Sequence, residues 1–443
     1  MTIAGICFCT YVAYCLIRFG FSKDCLINII FIDALFAIFK INYGYLFKYD
    51  AEELLASEIT LLTLLLLSTF HLKNVKFKIN LLVYSVCLVF VCLMSLFMLG
   101  LNPTEAPVVG YNNSGWDGYM RGEAQNFAPP ELGSQNFKMF IRLVAYTYIL
   151  IFIWSYMRRC EWEKLRQKLN VSVIIFLCIC VFELIIERIF SYDFSNILTT
   201  FFGLGRATGI DIDRTQGLSR EPSYYAIALY YTSIILVSNF FTKEKSFKNS
   251  LKFSILLTTS VSLSLLSGSL SALIFLGPLF FYYRSFTSVK SKTLIVIIAF
   301  CILLVTWTLF SDALMSLQFY ERLMFARTAF WEGVALSYAI GTDFSSELVR
   351  LISIIETFNA FLSRVWYGVG LGSVYSLSGI ISILGSIGIL GFGFWLLLLF
   401  YTSYKQPFIR VIALLAPFTL VADLNTLYDP AFIYLIPLAI SKY

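Results

Sequence analysis

Arginines and acids crowd together in a polar segment, 191–222, that leads into an apolar run. Its charged residues nearest that run are Arg206, Asp211, Asp213, Arg214, Arg220 and Glu221. Arginine presents a planar fork of donors that matches phosphate oxygens, and a carboxylate can accept a proton. The segment therefore suits an anionic ligand next to a proton donor. A salt-bridged loop at the lipid headgroups is the alternative interpretation.

A second polar segment, 311–379, adds Arg322 and Arg327. Apolar residues recur with helical spacing over 321–340 and over 347–362, which predicts two amphipathic helices at the bilayer surface. The alternative is a lid that carries no chemistry.

A third polar segment, 101–138, has a composition suited to stacking on sugar rings. Tyr111 and Trp116 are spaced there among Asn, Gly and Asp residues. An ordinary polar loop is the alternative. The glycine-rich stretch Gly368-Val-Gly-Leu-Gly372, at the end of the second segment, predicts that one backbone packs closely on another. It follows no strand, so it does not indicate a dinucleotide site.

Membrane-spanning helices must position these segments. Hydrophobic residues make up 59% of the 443-residue chain and charged residues 14%, against roughly 25% in ordinary domains. With a mean hydropathy of +0.79, this composition excludes a soluble enzyme, a disordered chain and a fibrous protein. It predicts an all-α polytopic integral membrane protein. The net charge of +6 does not indicate a nucleic-acid partner.

Thirteen apolar runs are candidate spans in what we expect to be a single transmembrane domain, 1–443. They are 2–17, 25–47, 54–70, 79–100, 139–157, 171–190, 223–241, 253–267, 269–283, 293–310, 380–403, 408–422 and 430–441. A span needs about 20 residues and several runs are shorter, so about 12–13 transmembrane helices are expected. The runs on either side of Ser267-Gly268-Ser269 could form a tight hairpin.

Basic residues separate the connecting loops into two sets. One set holds 20 of the 33 Lys and Arg residues and only 4 of the 27 acids, so it is expected to be cytoplasmic. The other set holds 10 basic residues and 18 acids, and it includes all three long polar segments. The long loops 101–138, 191–222 and 311–379 are therefore expected outside the cytoplasm.

Few ionisable residues lie inside the spans. They are Asp33, Lys40, Glu58, Arg142, Glu183, Glu187, Arg188 and Asp423, and we interpret most of them as structural. Asp33 and Lys40 are seven residues apart, so they could pair on one helix face. The single histidine, His71, lies in a basic cytoplasmic loop, which excludes histidine chemistry on the opposite side. A base there must be Asp or Glu, and no metal site or disulfide framework is indicated.

Several motifs together resemble the bacterial O-antigen polymerases of the Wzy type. Arg214-Thr-Gln-Gly-Leu-Ser-Arg-Glu-Pro-Ser223 resembles their Arg-x-x-Gly-Leu-x-x-Glu-Pro-Ser stretch. Ser267-Gly-Ser-Leu-Ser271 is similar to their serine-rich break, and Arg327-Thr-Ala-Phe-Trp331 to their Arg-x-x-x-Trp. The glycines from Gly368 to Gly391 resemble their loop exit and next span. The motifs cover about 205–395, in the family's order.

The resemblance implies an enzyme that joins lipid-linked repeat units on the periplasmic face of the bacterial inner membrane, with no metal or other cofactor. The donor would be the glycan on undecaprenyl pyrophosphate, and the acceptor an incoming unit on the same lipid. Membrane lipids and a chain-length regulator would be its other partners.

The resemblance also implies residue roles. Arg214 and Arg327 would bind the pyrophosphate, with Arg206, Arg220 and Arg322 as second candidates. Glu221 would be the base, with Asp211 and Asp213 as runners-up. Trp116, Tyr111 and Tyr224 would contact sugars.

Two competing functions remain open. An O-antigen ligase shares this architecture but relies on a histidine in its large outer loop, where this chain has none. A flippase or transporter would gather charged residues in a central cavity at mid-span. The arrangement of the in-span charges therefore discriminates between these functions.

Overall fold

The computed structural model describes residues 3–40, 45–49, 52–106, 108, 129–189, 194, 219, 222–242, 247–267, 269–285, 346–374, 376, 378–402, 408–417 and 430–440. Its helices, in chain order, are α1 (Ile3–Phe19), α2 (Lys23–Phe39), α3 (Ala56–His71), α4 (Ile79–Leu101), α5 (Ser134–Tyr156), α6 (Arg159–Ile189), α7 (Pro222–Thr242), α8 (Phe247–Leu266), α9 (Leu270–Arg284), α10 (Ser346–Ser363), α11 (Gly379–Thr402), α12 (Phe408–Leu415) and α13 (Pro430–Ile440). A 3-10 turn, Leu72–Asn74, follows α3.

The all-α membrane class is confirmed. Within the described ranges, α4, α5, α6, α7 and α11 are each long and apolar enough to cross a bilayer. The amphipathic helix predicted over 347–362 is confirmed as α10, whereas the one predicted over 321–340 and the run 293–310 lie outside the described residues.

One predicted span, 25–47, is wrong at its C-terminal end. Helix α2 stops at Phe39, where Lys40 takes a left-handed conformation and its N–H bonds the Phe36 carbonyl. The antiparallel strands β1 (Tyr45–Tyr49) and β2 (Glu52–Leu55) follow. Aromatic side chains alternate along β1, a period that suits a strand better than a helix.

A second correction concerns 158–170, which we expected as a loop and which instead forms the first turns of α6. The Glu161 carboxylate accepts the Arg158 N–H at 2.6 Å, and Arg159 pairs with Glu163 one turn later at 3.5 Å. Capping and i,i+4 pairing support a helix that apolar content alone does not reveal.

Helix α7 lies at the centre of the bundle. Of its apolar stretch, 83% is buried inside the protein, against 33% to 50% for the four other long apolar helices. It packs against α2, α6, α8, α9 and α13. Because protein rather than lipid surrounds it, α7 can carry polar side chains, and those of Tyr230, Ser233 and Ser238 form hydrogen bonds within the bundle.

Three connections of the basic set, 18–24, 71–78 and 158–170, which the charge pattern assigned to the same side, meet at one end of the bundle. Lys23 forms an ion pair with Glu161, and His71 lies 3.1 Å from the Tyr156 hydroxyl. The Phe21 and Phe70 rings stack nearby at 4.2 Å. The turns after α1, α3 and α5 are therefore neighbours, as the alternation of basic loops requires.

A glycine junction joins the chain after α10 to a break in α11; we define it as residues 365–370 with 385–390. At the break, Gly388 has φ 64° and ψ −171°. The Val369 and Gly370 N–H groups donate to the Gly385 and Ser386 carbonyls at 2.8 and 3.1 Å. In return, the Ile389 N–H donates to the Val365 carbonyl at 2.8 Å. The unwound backbone is thus satisfied by protein, which a membrane-embedded break requires.

The predicted close backbone packing at these glycines is confirmed. A Cβ on Gly388 would lie 2.4 Å from the carbonyl carbon of Trp366, and one on Gly368 would lie 2.5 Å from the Gly385 carbonyl oxygen. Both glycines also have positive φ, so no other residue fits either position without strain. The junction fixes the chain that follows α10 against α11.

Candidate functional site

The Pro222 end of α7 is the described part of the predicted site. Tyr224 lies half-buried on the first turn, and Glu221 is the residue bonded to Pro222. The other predicted site residues lie outside the described residues, as Glu221 itself does: Arg206, Asp211, Asp213, Arg214, Arg220, Arg322, Arg327, Tyr111 and Trp116. Ser219, in the same motif, is described and buried.

Helix α8 runs antiparallel to α7 and brings its own end to this site. The Phe240 and Phe253 rings stack at 4.2 Å near the far end of α7. Ser233 donates to Ser260 at 3.0 Å nearer its middle. Because the two helices advance in opposite directions at the same rise, this register places Ser267 beside the first two turns of α7.

Helix α9 returns along α7 from the same corner. The rings of Tyr230 and Phe275 lie 4.9 Å apart, and those of Phe241 and Tyr283 lie 5.7 Å apart. The predicted hairpin around Ser267–Ser269 is therefore confirmed, and both of its helices pack against α7. Ser267 and Ser269 are both buried, and the Ser267 hydroxyl accepts the Ser269 N–H at 3.3 Å.

Helix α6 supplies a carboxyl group to the same end. Asn239 bonds Asn170 near the far end of α7. Towards the other end, the Tyr225 hydroxyl bonds the Cys180 thiol, so α6 and α7 are antiparallel, and Glu183 follows Cys180 by about one helical turn. Glu183 is fully buried, at 0% exposure, level with the first turns of α7. We define Glu183, Tyr225, Ser267 and Ser269 as the polar cluster.

Chemically, the arrangement suits an anionic substrate. A helix N-terminus carries partial positive charge, and hydroxyl groups can donate to phosphate or sugar oxygens. In the sequence, three arginines lie within the 17 positions from Arg206 to Pro222, and Glu221 directly precedes Pro222. Among the described residues, Glu183 on α6 supplies a carboxyl group at this end of α7.

Sequence reasoning found Glu183 but gave it no place in the site. The sequence did contain one signal for Glu183: an acidic residue inside an apolar helix is by default a functional candidate. Nothing in the linear pattern related it to the motif 38 residues later. The antiparallel pairing of α6 with α7 makes that connection.

The other described in-span charges lie apart from the polar cluster. Arg142 on α5 pairs with Glu58 at the start of α3. Asp33 on α2 accepts hydrogen bonds from Thr60 and Tyr434, so its expected pairing with Lys40 is wrong. Seven residues of helix separate Asp33 from Lys40 by about 10 Å, and Lys40 ends α2 outside its last turn.

Within the described part of the chain, no cluster of three His, Cys, Asp or Glu residues could hold a metal ion. No known protein-family model matches the chain, and no curated protein matches its sequence.

Proposed function

We propose that this chain is an O-antigen polymerase of the Wzy type. It would transfer a growing glycan from undecaprenyl pyrophosphate to a repeat unit carried by the same lipid. The observation that carries the proposal is the convergence at the Pro222 end of α7. Ser223, in the first motif that resembles the family's, and Ser267, in the second, lie at the same end of the antiparallel α7–α8 pair although 44 positions separate them in the sequence.

The proposed chemistry uses groups from this end. The acceptor hydroxyl oxygen attacks the anomeric carbon of the donor, while the bond from that carbon to the lipid pyrophosphate breaks. Glu221 takes the hydroxyl proton, and Asp211 and Asp213 are the alternative bases. Arg214 and Arg327 neutralise the charge that develops on the leaving pyrophosphate, with Arg206, Arg220 and Arg322 as second candidates.

The proposal also assigns the residues that contact sugars and the membrane face on which the active site lies. Tyr224 on the first turn of α7, with Tyr111 and Trp116, would stack on the rings of the repeat unit. The excess of basic residues in the opposite loops supports an active site on the periplasmic face of a bacterial inner membrane. A chain-length regulator would be a protein partner.

A lipid-linked oligosaccharide flippase is the second candidate. Such a protein would gather charges in one cavity at mid-membrane. Here the described in-span charges occupy separate places: Asp33 between α2, α3 and α13, Glu58 with Arg142, and Glu183 near the Pro222 end of α7. This separation supports the polymerase over the flippase.

A gel of surface lipopolysaccharide tests the proposal. In a strain that lacks this gene, the O-antigen ladder should collapse to core plus a single repeat unit, and a plasmid copy should restore it. Loss of every O-antigen band, including the single-unit band, would indicate a ligase or a flippase instead.

Arginine variants test the residue roles in the same strain. Arg214→Ala and Arg327→Ala should each reduce polymer at least about tenfold at equal protein level, because removal of a charge-stabilising donor commonly costs ~10²-fold or more. Arg214→Lys should fail as well, since lysine cannot make a bidentate contact. Arg159→Ala, an exposed change on α6, is the control and should keep the ladder. An unchanged ladder in both alanine variants contradicts the assignment.

A further inference from the structure

Asp33 is a carboxyl group in the interior of the bundle that the proposed reaction does not use. It lies on the third turn of α2 and is 1% exposed. Helix α2 packs against α1, α3, α6, α7 and α13, so protein encloses this part of it.

Two hydroxyl groups from two different helices hold the carboxyl group. The Thr60 hydroxyl on α3 lies 2.9 Å from Oδ1, and the Tyr434 hydroxyl on α13 lies 2.5 Å from Oδ2. Thr60 is fully buried, as is Tyr434. The three residues, which we call the Asp33 clamp, therefore join α2, α3 and α13 through neutral hydrogen-bonding groups.

No cationic side chain neutralises Asp33 within the described part of the chain. On α3, Glu58 is paired with Arg142 of α5. On α6, the Lys168 amine donates to Asn28 at 2.6 Å and lies 5.4 Å from the centre of the Phe31 ring.

The remaining neighbours of α2 bring no charge to this level. Helices α7 and α13 contain no charged residue. On α1, the one charged residue is Arg18 in the last turn, near the end where α2 begins. Asp33 lies about 15 Å from that end, at 1.5 Å per residue.

An ionised carboxylate in such a place is costly. Removing a charge from water costs several kcal/mol unless an opposite charge or a full set of donors compensates. Two neutral hydroxyls satisfy a carboxylic acid but only part of a carboxylate, which has about four acceptor positions. The neutral form is therefore the one that this environment favours.

We infer that the Asp33 clamp is a proton-binding site, in which Asp33 carries the proton in the folded protein. In this protonated form Oδ2–H donates to the Tyr434 oxygen across the 2.5 Å contact, which is the reverse of the direction that an ionised carboxylate, able only to accept, would impose. Oδ1 continues to accept from Thr60. The inference stands independently of the proposed polymerase activity.

The clamp fixes α13 against α2 and α3. In addition to the clamp, α13 accepts a hydrogen bond from Trp154 of α5 at the Ile433 carbonyl, at 2.8 Å. It also accepts one from Ser238 of α7 at the Leu438 carbonyl, at 3.0 Å. Since α13 has only 11 residues, these bonds and the Asp33 clamp hold it in place.

Asparagine substitution tests the inference in the purified full-length protein in detergent. Asp33→Asn is neutral and isosteric, so its melting temperature should stay within about 2 °C of the wild type. Asp33→Ala removes the carboxyl group that bonds two buried hydroxyls and should lower it by about 5 °C or more. Asp24→Asn, an exposed change on the same helix, is the control and should have no effect.

Infrared spectroscopy reads the proton directly. At neutral pH, the carbonyl band of buried protonated carboxyl groups should be stronger in the wild type than in Asp33→Asn. Absence of that difference, or an Asp33→Asn protein as unstable as Asp33→Ala, would overturn the inference. Stabilisation of the wild type but not of Asp33→Asn by Na⁺ would overturn it too, since the site would then bind a metal ion.

Discussion

The glycine junction and the polar cluster at the Pro222 end of α7 differ in which polar groups the bundle buries: backbone groups at the junction and side chains at the cluster. At the junction, backbone groups bond one another directly, and the absence of side chains at Gly368 and Gly388 makes that possible. At the cluster, Glu183 and Tyr225 are fully buried polar side chains. We therefore expect changes at the junction to affect folding, and changes at the cluster to affect activity while the fold is kept.

The largest expected effect is at the junction. Gly388→Ala should destabilise the protein by about 3 kcal/mol or more, because the residue has positive φ and its Cβ would overlap the Trp366 backbone. Fluorescence-detected size-exclusion chromatography should show little monodisperse protein. Gly393→Ala on the same helix is a matched control, since a Cβ there meets nothing within 4 Å. Equal yields of the two variants would contradict the role of the junction.

A smaller effect, of a different kind, is expected at the cluster. Glu183→Gln keeps the side-chain shape but replaces a carboxyl group, which can exchange a proton, with an amide that cannot, so the polymer should fall about tenfold while the melting temperature changes little. A tenfold loss corresponds to about 1.4 kcal/mol of transition-state stabilisation. Glu163→Gln, a half-exposed position on the same helix, should leave the ladder intact. A full ladder with Glu183→Gln would separate this acid from the proposed reaction.

The smallest effect is at the edge of the junction. Arg364, in the turn after α10, donates to the Met98 and Asn102 carbonyls at the end of α4. Arg364→Ala should cost about 1 kcal/mol, the usual contribution of a hydrogen bond that caps a helix end. Thermal unfolding should shift down by a few degrees, with the O-antigen ladder unchanged. Loss of the ladder at a normal melting temperature would move Arg364 from a structural to a functional role.

The two regions also differ in how far the sequence reveals them. Glycine spacing predicted the close packing near Gly368, because only glycine tolerates such an approach and its pattern is visible in the chain. Apolar runs likewise predicted most helices. They missed the first turns of α6, where capping by Glu161 and an ion pair, rather than hydrophobicity, support the helix.

The site could be predicted only in part. The resemblance pointed to Glu221 and to the serines from Ser267 to Ser271, but no local pattern connects Glu183 to them. Glu183 and Ser267 reach the same end of α7 because α6 and α8 each run antiparallel to α7, and such long-range packing is not visible in the sequence. For the same reason, Asp33 was expected to pair with Lys40 along its own helix, whereas its partners come from α3 and α13.

Reconstitution tests the central claim most directly. The purified protein would be placed in liposomes with undecaprenyl-pyrophosphate-linked repeat units and a metal chelator, and the products separated by size. The account predicts a ladder of lipid-linked polymers and release of undecaprenyl pyrophosphate, both lost with Arg214→Ala. Movement of the lipid-linked units across the bilayer without any increase in glycan length would contradict it.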